Sequence, residues 1–366
     1  MNTHKILFIL HDIGGGGAER VFINIANGFI SKGIPVEILV GRENVKYPAL
    51  LDPKIPITVA GCKNLVDNLW KLPAYIKGKD YTHIFTASDT YSVACVILKK
   101  VFNLKHKTIA TLHYDLPNQI SILPRLNQIY MTLTNKYFIA NADKIVAVSK
   151  GVGAGFEAVI KKKLDNLITI YNPVFDGKIT GLAKEDVSDS FFLNGKITLI
   201  NVGKLVNNPK NQESLLYTLQ ILLNESPGKF QLILLGEGAD KNKFVSISEE
   251  LHISDAVHFV GFQSNPYKYI AQSSLLVHSS LTEGFGNVLV EALALGINVV
   301  STDCPCGPRE ILEDGKYGWL CKMSDPADMA ITIKKALQNL KKEEILIQYA
   351  QKFNNENIVT QYLDLL

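Results

Sequence analysis

Short runs of apolar and β-branched residues alternate with longer segments of mixed apolar and polar residues along the whole chain. The short runs have the length of buried strands, and the longer segments have the apolar spacing of amphipathic helices. Strands that alternate with helices are typical of parallel sheets covered by helices on both faces. The pattern occurs twice and therefore predicts two doubly wound α/β domains.

The predicted strands fall into two series separated by a polar segment. The first series comprises Ile6–Leu10, Val36–Val40, Ile57–Ala60, His83–Thr86, Thr108–Leu112, Ile145–Val148 and Ile168–Tyr171. The second series comprises Ile197–Val202, Gln231–Leu235, Val257–Val260, Leu275–His278, Asn298–Ser301 and Gly318–Leu320. Residues 172–195 between them contain glycine, proline, serine and acidic residues, which predicts a linker. We therefore expect domains over residues 1–175 and 176–350 and a last helix over residues 351–366.

Length and composition agree with a folded two-domain protein. A chain of 366 residues exceeds one ordinary hydrophobic core, and its 47% hydrophobic and 20% charged residues are typical of soluble globular proteins. The five cysteines are scattered, which favours a reducing cytoplasm over a disulfide scaffold. No apolar run approaches the about 20 residues that cross a bilayer. We expect a cytoplasmic protein.

Charge is distributed unequally between the two halves. Residues 1–175 hold 21 Lys and Arg against 12 Asp and Glu, whereas residues 176–366 hold 17 against 23. The basic half is suited to an anionic membrane surface, an acidic acceptor or nucleic acid. Because the chain lacks helix-turn-helix, zinc-finger and aromatic RNA-binding signatures, we expect no nucleic-acid partner.

The segment 280–296 carries the most informative motif. It follows a predicted strand and opens a predicted helix, with Gly284 and Gly286 at the turn. Glycines let the backbone approach a ligand closely, and the amides that open a helix favour phosphate. Glu283 precedes the turn and Glu291 lies within the helix, so two carboxylates flank an anion-binding turn.

This Glu-x7-Glu motif with its embedded Gly-Phe-Gly resembles glycosyltransferase family 4, the group 1 transferases. The resemblance implies the GT-B fold, two Rossmann-like domains facing across a cleft, and transfer of a sugar from a nucleotide-sugar donor with retention of anomeric configuration. It implies that Glu283 binds donor-sugar hydroxyls and that Glu291 binds the nucleotide ribose. The remaining donor-binding residues that we expect in the motif are Gly284, Phe285, Gly286, Asn287 and Val288.

Residues after the first strands of the second series extend the resemblance. Gly203, Lys204 and Lys210 match the strand end and cations that hold the donor pyrophosphate, although Lys204 stands where the family usually has Arg. A lysine neutralises phosphate as a point charge without the bidentate fork of arginine. Gly236 and Phe262 match the strand ends that hold the nucleobase.

The amino-terminal domain is expected to bind the acceptor. The segment 11–20 resembles the family's Gly-Gly-Ala-Glu-Arg opening, which closes over the reaction centre and assigns Gly15 and Gly16 to the donor site. His113 stands where the family commonly carries a histidine facing the donor sugar. The resemblance also implies that the helix over 351–366 crosses back to the amino-terminal domain.

Metal-dependent transferases need oxygen ligands for a divalent cation and usually supply an Asp-x-Asp motif, which this chain lacks. We therefore expect no metal and no other cofactor, with Lys204, Lys210 and the helix terminus stabilising the leaving diphosphate. The expected donor is a UDP-linked hexose or N-acetylhexosamine.

Three other functions remain open from the sequence. A non-hydrolysing sugar-nucleotide epimerase shares the two-lobe architecture, and a catalytically idle module would bind the donor without transfer. A dinucleotide-dependent oxidoreductase is suggested by Gly14-x-Gly16 after the first strand and by Glu37 about 20 residues on. Glu19 occupies the place of its third glycine and would crowd the helix against the sheet.

The expected acceptor is a glycan or lipid-linked glycan of cell-surface polysaccharide or lipopolysaccharide biosynthesis. The segment 303–311 resembles a version common among bacterial surface-polysaccharide transferases. Basic residues and an apolar stretch over 120–138 predict peripheral docking on the inner face of an anionic membrane. The basic residues are Lys99, Lys100, Lys105, Lys107, Arg125 and Lys136.

Overall fold

A computed structural model describes residues 4–13, 17–42, 51–187, 190–193 and 195–366. Contacts divide the chain into two compact units. The first comprises Met1–Val174 together with Phe353–Leu366, and the second comprises Phe175–Lys352. The last helix of the chain therefore belongs to the first unit, although it follows the second in sequence.

Strands and helices alternate in both units. The strands are β1 (Ile6–Leu10), β2 (Val36–Val40), β3 (Ile57–Val59), β4 (His83–Thr86), β5 (Lys107–Leu112), β6 (Lys144–Ala147), β7 (Leu167–Thr169), β8 (Ile197–Val202), β9 (Phe230–Leu235), β10 (Val257–Gly261), β11 (Leu275–His278), β12 (Val299–Thr302) and β13 (Trp319–Cys321). The helices are α1 (Gly17–Ser31), α2 (Leu65–Ile76), α3 (Asp89–Val101), α4 (Leu116–Ser121), α5 (Arg125–Tyr137), α6 (Lys150–Ile160), α7 (Ile179–Ala183), α8 (Asn207–Lys210), α9 (Gln212–Glu225), α10 (Lys241–Glu250), α11 (Tyr267–Ala271), α12 (Asn287–Ala294), α13 (Pro308–Ile311), α14 (Pro326–Gln338), α15 (Glu343–Ala350) and α16 (Asn355–Leu363).

The first unit is built on a parallel sheet of seven strands in the order β3-β2-β1-β4-β5-β6-β7. Its central strands β1 and β4 are buried along their whole length, as expected for a parallel sheet covered by helices on both faces. Phe8 and Phe85 stack at 4.9 Å between ring centroids, and Tyr362 of α16 packs 6.2 Å from Phe85. The last helix thus completes the core of the first unit.

The second unit contains a parallel sheet of six strands in the order β10-β9-β8-β11-β12-β13. Leucine and isoleucine side chains of β8, β9 and α9 form the centre of its core, together with β11, β12 and α14. Both units are Rossmann-like α/β domains, as the repeated pattern predicts. The strand order reverses between β1 and β4 in the first sheet and between β8 and β11 in the second.

All thirteen predicted strands are confirmed, with ends that differ by no more than two residues. The largest difference is at β7, which ends at Thr169, the partner of the last residue of β6, Ala147. The segment predicted as a linker contains the short helix α7 and a 3₁₀ helix at Ser190–Leu193, and the units divide between Val174 and Phe175. Residues 325–366 form the helices α14, α15 and α16 and the short segments that join them, without a further strand.

Candidate active site

The candidate site of the second unit lies at the carboxyl ends of β8 and β11, where the strand order of the sheet reverses. Loops that leave such a point in opposite directions open a crevice, which is the usual ligand site of doubly wound sheets. Lys204 and Lys210 follow β8, and Glu283 follows β11. The loops are joined by hydrogen bonds from Leu281 N to Pro209 O (2.8 Å) and from Ser279 Oγ to Lys210 O (2.8 Å).

Glu283 is the centre of a polar cluster at this crevice. Its Oε1 atom lies 2.5 Å from Lys210 Nζ, 2.7 Å from Ser280 Oγ and 3.0 Å from His278 Nε2. The other ring nitrogen of His278 lies 3.0 Å from Ser301 Oγ on β12. Three side chains from two chain segments, Lys210 after β8 and His278 and Ser280 at the end of β11, therefore fix the position of one carboxylate.

The ionisation of Glu283 is set by these neighbours. Burial alone acts to raise the pKa of the carboxyl group, but the Lys210 ammonium and the hydrogen bond with His278 outweigh it and hold the pKa well below its usual range. Glu283 is therefore an acceptor at neutral pH. All three contacts converge on Oε1.

Helix α12 begins directly after the glycine turn, as the motif predicts. Gly286 precedes the helix with φ +104°, a backbone conformation that side chains other than glycine rarely adopt. Phe285 is buried, whereas Asn287 and Val288 in the first turn are partly exposed. The partly exposed Gly284 lies between Glu283 and this turn, so the backbone there is accessible to a ligand.

Glu291 lies one turn inside α12 and is buried with 6% of its surface exposed. The hydroxyl group of Tyr267 lies 3.4 Å from Glu291 Oε1. Burial of an ionisable side chain costs free energy unless it is hydrogen-bonded, so a carboxylate at this position requires polar partners. The contact with Tyr267 supplies one and limits the directions in which the carboxylate can point.

The ends of β8, β9 and β10 approach each other closely. Gly203 N donates to Leu235 O (3.0 Å), and Gly236 N donates to Gly261 O (2.9 Å). A Cβ atom on Gly236 would lie 1.9 Å from Gly203 O, so only glycine fits there, whereas a Cβ on Gly203 would meet nothing within 4 Å. Phe262 follows β10 and is 54% exposed.

The other predicted residues have different surroundings. Lys204 is exposed, and its carbonyl oxygen accepts a hydrogen bond from Gln212 Nε2 at 2.7 Å. In the first unit, His113 Nε2 lies 2.9 Å from Thr111 Oγ1, and burial lowers the pKa of the imidazole to about 4. His113 is therefore neutral at pH 7. Gly15 and Gly16 lie outside the described residues.

Sequence reasoning missed three side chains that hold the two glutamates, namely His278, Ser280 and Tyr267. His278 ends a buried strand, and its position at the carboxyl edge of the sheet is a signal that the sequence contains. Ser280 is three residues before Glu283 and shares its loop. Tyr267 is 24 residues before Glu291, and no local pattern relates the two.

Two features bear on metals and membranes. Within the described ranges, His, Cys, Asp and Glu side chains do not gather in a group of three that could hold a metal ion. Among the helices of the described chain, none combines the length and the apolar character needed to cross a bilayer.

Comparison with known proteins places this fold among the glycosyltransferases of the GT-B fold. Residues 183–353 match the family described as Glycosyl transferases group 1, and residues 15–176 match Glycosyltransferase Family 4. Together the two matches span nearly the whole chain. The chain belongs to this family and is a glycosyltransferase.

Relatives and solved structures agree with this assignment. The N-acetylgalactosamine-N,N'-diacetylbacillosaminyl-diphospho-undecaprenol 4-alpha-N-acetylgalactosaminyltransferase of Campylobacter jejuni is 27% identical over 92% of this chain and 90% of that protein. The lipopolysaccharide 1,6-galactosyltransferase of Escherichia coli is 30% identical over 54% of this chain and 53% of that protein. The crystal structure of Anabaena Alr3699/HepE in complex with UDP-glucose has a TM-score of 0.81 at 22% identity and covers 99% of this chain and all of that one.

Proposed function

We propose that this glycosyltransferase moves a hexose or N-acetylhexosamine from a UDP-sugar donor to an acceptor hydroxyl with retention of anomeric configuration. The observation that carries the proposal is the Lys210–Glu283 contact of 2.5 Å beside the glycine turn that opens α12. A cation and helix amides favour a diphosphate, and an adjacent ionised carboxylate accepts hydrogen bonds from sugar hydroxyls. A nucleoside diphosphate-sugar carries a diphosphate and, directly next to it, the hydroxyl groups of a sugar.

In the proposed reaction, the bond between the anomeric carbon and the phosphate oxygen breaks and the electron pair leaves with UDP. The acceptor oxygen forms the new bond on the same face, and its proton passes to the departing phosphate oxygen. Lys210, Lys204 and the first amides of α12 stabilise the negative charge that develops on the diphosphate. In this scheme no metal ion is required, because the cationic side chains take the role of a divalent cation.

The proposed roles of the two glutamates differ. Glu283 Oε2 accepts hydrogen bonds from hydroxyl groups of the donor sugar, while Glu291 binds the ribose. Phe262 and the backbone near Gly236 contact the uracil ring. The exposed face of Phe262 supports the contact with a base, because aromatic side chains offer a stacking surface of this kind. His113 faces the donor sugar as a neutral hydrogen-bonding group.

For the acceptor, we propose a glycan or lipid-linked glycan that becomes part of a cell-surface polysaccharide or lipopolysaccharide. Support comes from the names of the relatives, which describe transfer to a diphospho-undecaprenol-linked sugar and to lipopolysaccharide. The proposed location is the cytoplasm, at the inner face of the membrane, where a lipid-linked acceptor of this kind would be reached.

The test is calorimetric titration with UDP, GDP and ADP in the presence of a chelator. We expect UDP to bind without added metal and more tightly than the other two nucleotides. Lys210→Met should weaken UDP binding at least about tenfold, a loss of about 1.4 kcal/mol. Lys243→Met, which removes a cation paired with Glu213 on the exterior of the same unit, is the matched control and should leave the affinity unchanged. Binding that requires Mg²⁺ or Mn²⁺ would contradict the metal-independent scheme.

A further inference from the structure

Helix α5 of the first unit turns an apolar side towards solvent. Its side chain Leu126 is 81% exposed and Tyr130 is 55% exposed. Together with neighbours spaced three and four residues apart, these form a stripe that we call the α5 stripe. The α5 stripe consists of Leu126, Ile129, Tyr130, Leu133 and Tyr137, each between 45% and 81% exposed.

The opposite side of α5 packs against the protein with polar residues. At about 100° of rotation per residue, the α5 stripe occupies an arc about 100° wide. Asn135 lies on the other side and is fully buried, and Gln128 and Thr132 lie beside it, partly buried. An ordinary surface helix buries its apolar side and exposes its polar side. Helix α5 has the reverse orientation.

Buried hydrogen bonds maintain this orientation. Asn135 Nδ2 donates to Asp89 Oδ2 at 3.3 Å and to Met131 O at 2.9 Å, and the hydroxyl group of Tyr114 also donates to Asp89. Rotation of α5 to hide its apolar residues would leave the partly buried Asp89 without the contact from the buried Asn135. Loss of a buried partner of a charged group is costly, so the α5 stripe remains outside.

The charges of helix α5 itself have one sign. Residues 116–142 contain Arg125 and Lys136 and no Asp or Glu. The two cations are eleven residues, or about three turns, apart and therefore lie on the same flank of the helix. Lys136 Nζ also lies 5.7 Å from the ring centroid of Tyr137, at the end of the stripe.

This combination decides between two occupants of the surface. Two copies of the chain paired through their α5 stripes would bring four cations together without a carboxylate from either helix. An anionic lipid surface offers acyl chains for the apolar side chains and phosphates for the cations. Lys99, by contrast, is paired with Asp143 at 2.6 Å, so part of the basic surface predicted from sequence is already neutralised within the protein.

We propose that the α5 stripe docks the protein on an anionic phospholipid bilayer, with its apolar side chains in the interfacial layer and Arg125 and Lys136 at the level of the phosphates. The proposal goes beyond the transfer reaction and is independent of the donor site, since α5 belongs to the first unit and the glutamates to the second.

The first test is co-sedimentation with vesicles made of equal parts phosphatidylglycerol and phosphatidylcholine, compared with vesicles of phosphatidylcholine alone. The protein should bind the anionic vesicles at low salt and less at high salt. Leu126→Gln/Leu133→Gln should reduce partitioning at least about tenfold, because exposed leucines lose their apolar contact with the lipid. Arg125→Gln/Lys136→Gln should reduce partitioning into the anionic vesicles at low salt by about fivefold for each charge removed. The reduction should be smaller at high salt.

A matched control is Ile331→Gln/Ile345→Gln, which replaces two exposed aliphatic side chains on helices α14 and α15 of the second unit. It should bind vesicles as the unaltered protein does, and both double variants should keep their UDP affinity and melting temperature. Failure of docking with retained UDP binding would therefore separate this proposal from the proposed function.

Depth of insertion gives a second measurement. Tyr130→Trp should add tryptophan fluorescence that shifts to the blue and is quenched by brominated acyl chains, above the background of the two native tryptophans. Equal loss of binding in the control variant, or no binding to anionic vesicles at low salt, would overturn the proposal. So would sedimentation as a dimer that Leu126→Gln/Leu133→Gln dissociates, since this result would make the α5 stripe an interface between two copies.

Discussion

Lys210 Nζ and Glu283 Oε1 lie 2.5 Å apart although 73 residues separate them in the chain. The lysine follows β8 and the glutamate follows β11, the two strands between which the order of the second sheet reverses. The contact therefore connects the two loops that line the crevice. It also places a positive and a negative group side by side where a diphosphate and a sugar are expected to bind.

The Lys210–Glu283 pair should be energetically coupled. Lys210→Met leaves a partly buried carboxylate without its cation, so we expect the pKa of Glu283 to rise and the free energy of unfolding to fall by about 1–3 kcal/mol. Glu283→Gln should cost less, because the amide oxygen still accepts from Ser280. The double variant should show a coupling energy of about 1–2 kcal/mol in urea unfolding, given that the lysine is 31% exposed. Additive effects within about 0.3 kcal/mol would mean that the contact contributes nothing to stability.

The two glutamates should have separable effects on binding and transfer. Loss of a buried hydrogen bond to a hydroxyl costs about 1–3 kcal/mol, which is about fivefold to hundredfold in affinity or rate. Glu291→Ala should weaken UDP binding by this factor, whereas Glu283→Ala should leave UDP binding nearly unchanged and lower the rate of sugar transfer. Calorimetry with UDP and a donor-hydrolysis or transfer assay measure the two effects.

Tyr267→Phe serves as the control for Glu291. It removes the hydroxyl group 3.4 Å from the carboxylate and should reduce UDP affinity less than Glu291→Ala does, because the carboxylate itself remains. Equal UDP affinity in the unaltered protein and Glu291→Ala would contradict the ribose assignment.

Gly236 and Gly203 form a matched pair for testing the strand ends. Gly236→Ala places a Cβ 1.9 Å from Gly203 O at φ +142°, so a backbone strand end must move. We expect a loss of stability of about 2 kcal/mol or more, seen as a lower melting temperature. Gly203→Ala meets no atom within 4 Å and should fold normally. A normal melting temperature for Gly236→Ala would show that the strand ends are looser than their contacts indicate.

Acid should destabilise the first unit through buried histidines. Burial lowers the pKa of His83 and of His106 to about 4, from an ordinary value near 6.5. Between these values the unfolded chain binds protons that the folded protein does not, so the contribution of the two histidines to stability falls as the pH decreases from about 6.5 to about 4. We expect a loss on the order of 1–3 kcal/mol for each histidine.

Urea unfolding at several pH values between 4 and 7.5 measures this dependence. His106→Gln should flatten the decrease, because glutamine does not titrate. Val66→Gln alters an exposed residue of the same unit and should leave the pH dependence unchanged. A stability that stays constant from pH 7 to pH 4.5 would contradict the prediction.

The pH profile of transfer should lack an inflection from His113. Because burial lowers the pKa of His113 to about 4, the ring is neutral throughout the working range of the enzyme. The transfer rate of the unaltered protein and that of His113→Gln should therefore depend on pH in the same way near pH 6.5, without an inflection that the substitution removes. An inflection of that kind would place a titrating, solvated imidazole at the reaction centre instead.

Much of the fold could be read from the sequence because its determinants are local. The apolar runs that predict Ile197–Val202 and Leu275–His278 coincide with β8 and β11. The glycine turn before Asn287 marks the start of α12 for a similar reason, since φ +104° at Gly286 is a property of one residue. Within this motif, the spacing of Glu283 and Glu291 is also local.

The partners of these side chains depend on tertiary contacts. Lys210, His278 and Tyr267 come near the two glutamates only because parallel strands and their crossover helices bring distant loops to one edge of the sheet. The sequence marks each residue but does not contain the distances between them, which arise from the register of β8, β11 and β12.

The orientation of α5 shows the same division between sequence and tertiary structure. Its 3.6-residue periodicity alone determines that Leu126, Tyr130 and Leu133 share one side of a helix. Periodicity does not determine which side faces the protein, because that depends on what the neighbouring elements offer. Here the buried Asn135 donates to Asp89, and this polar contact keeps the apolar side of the helix outwards.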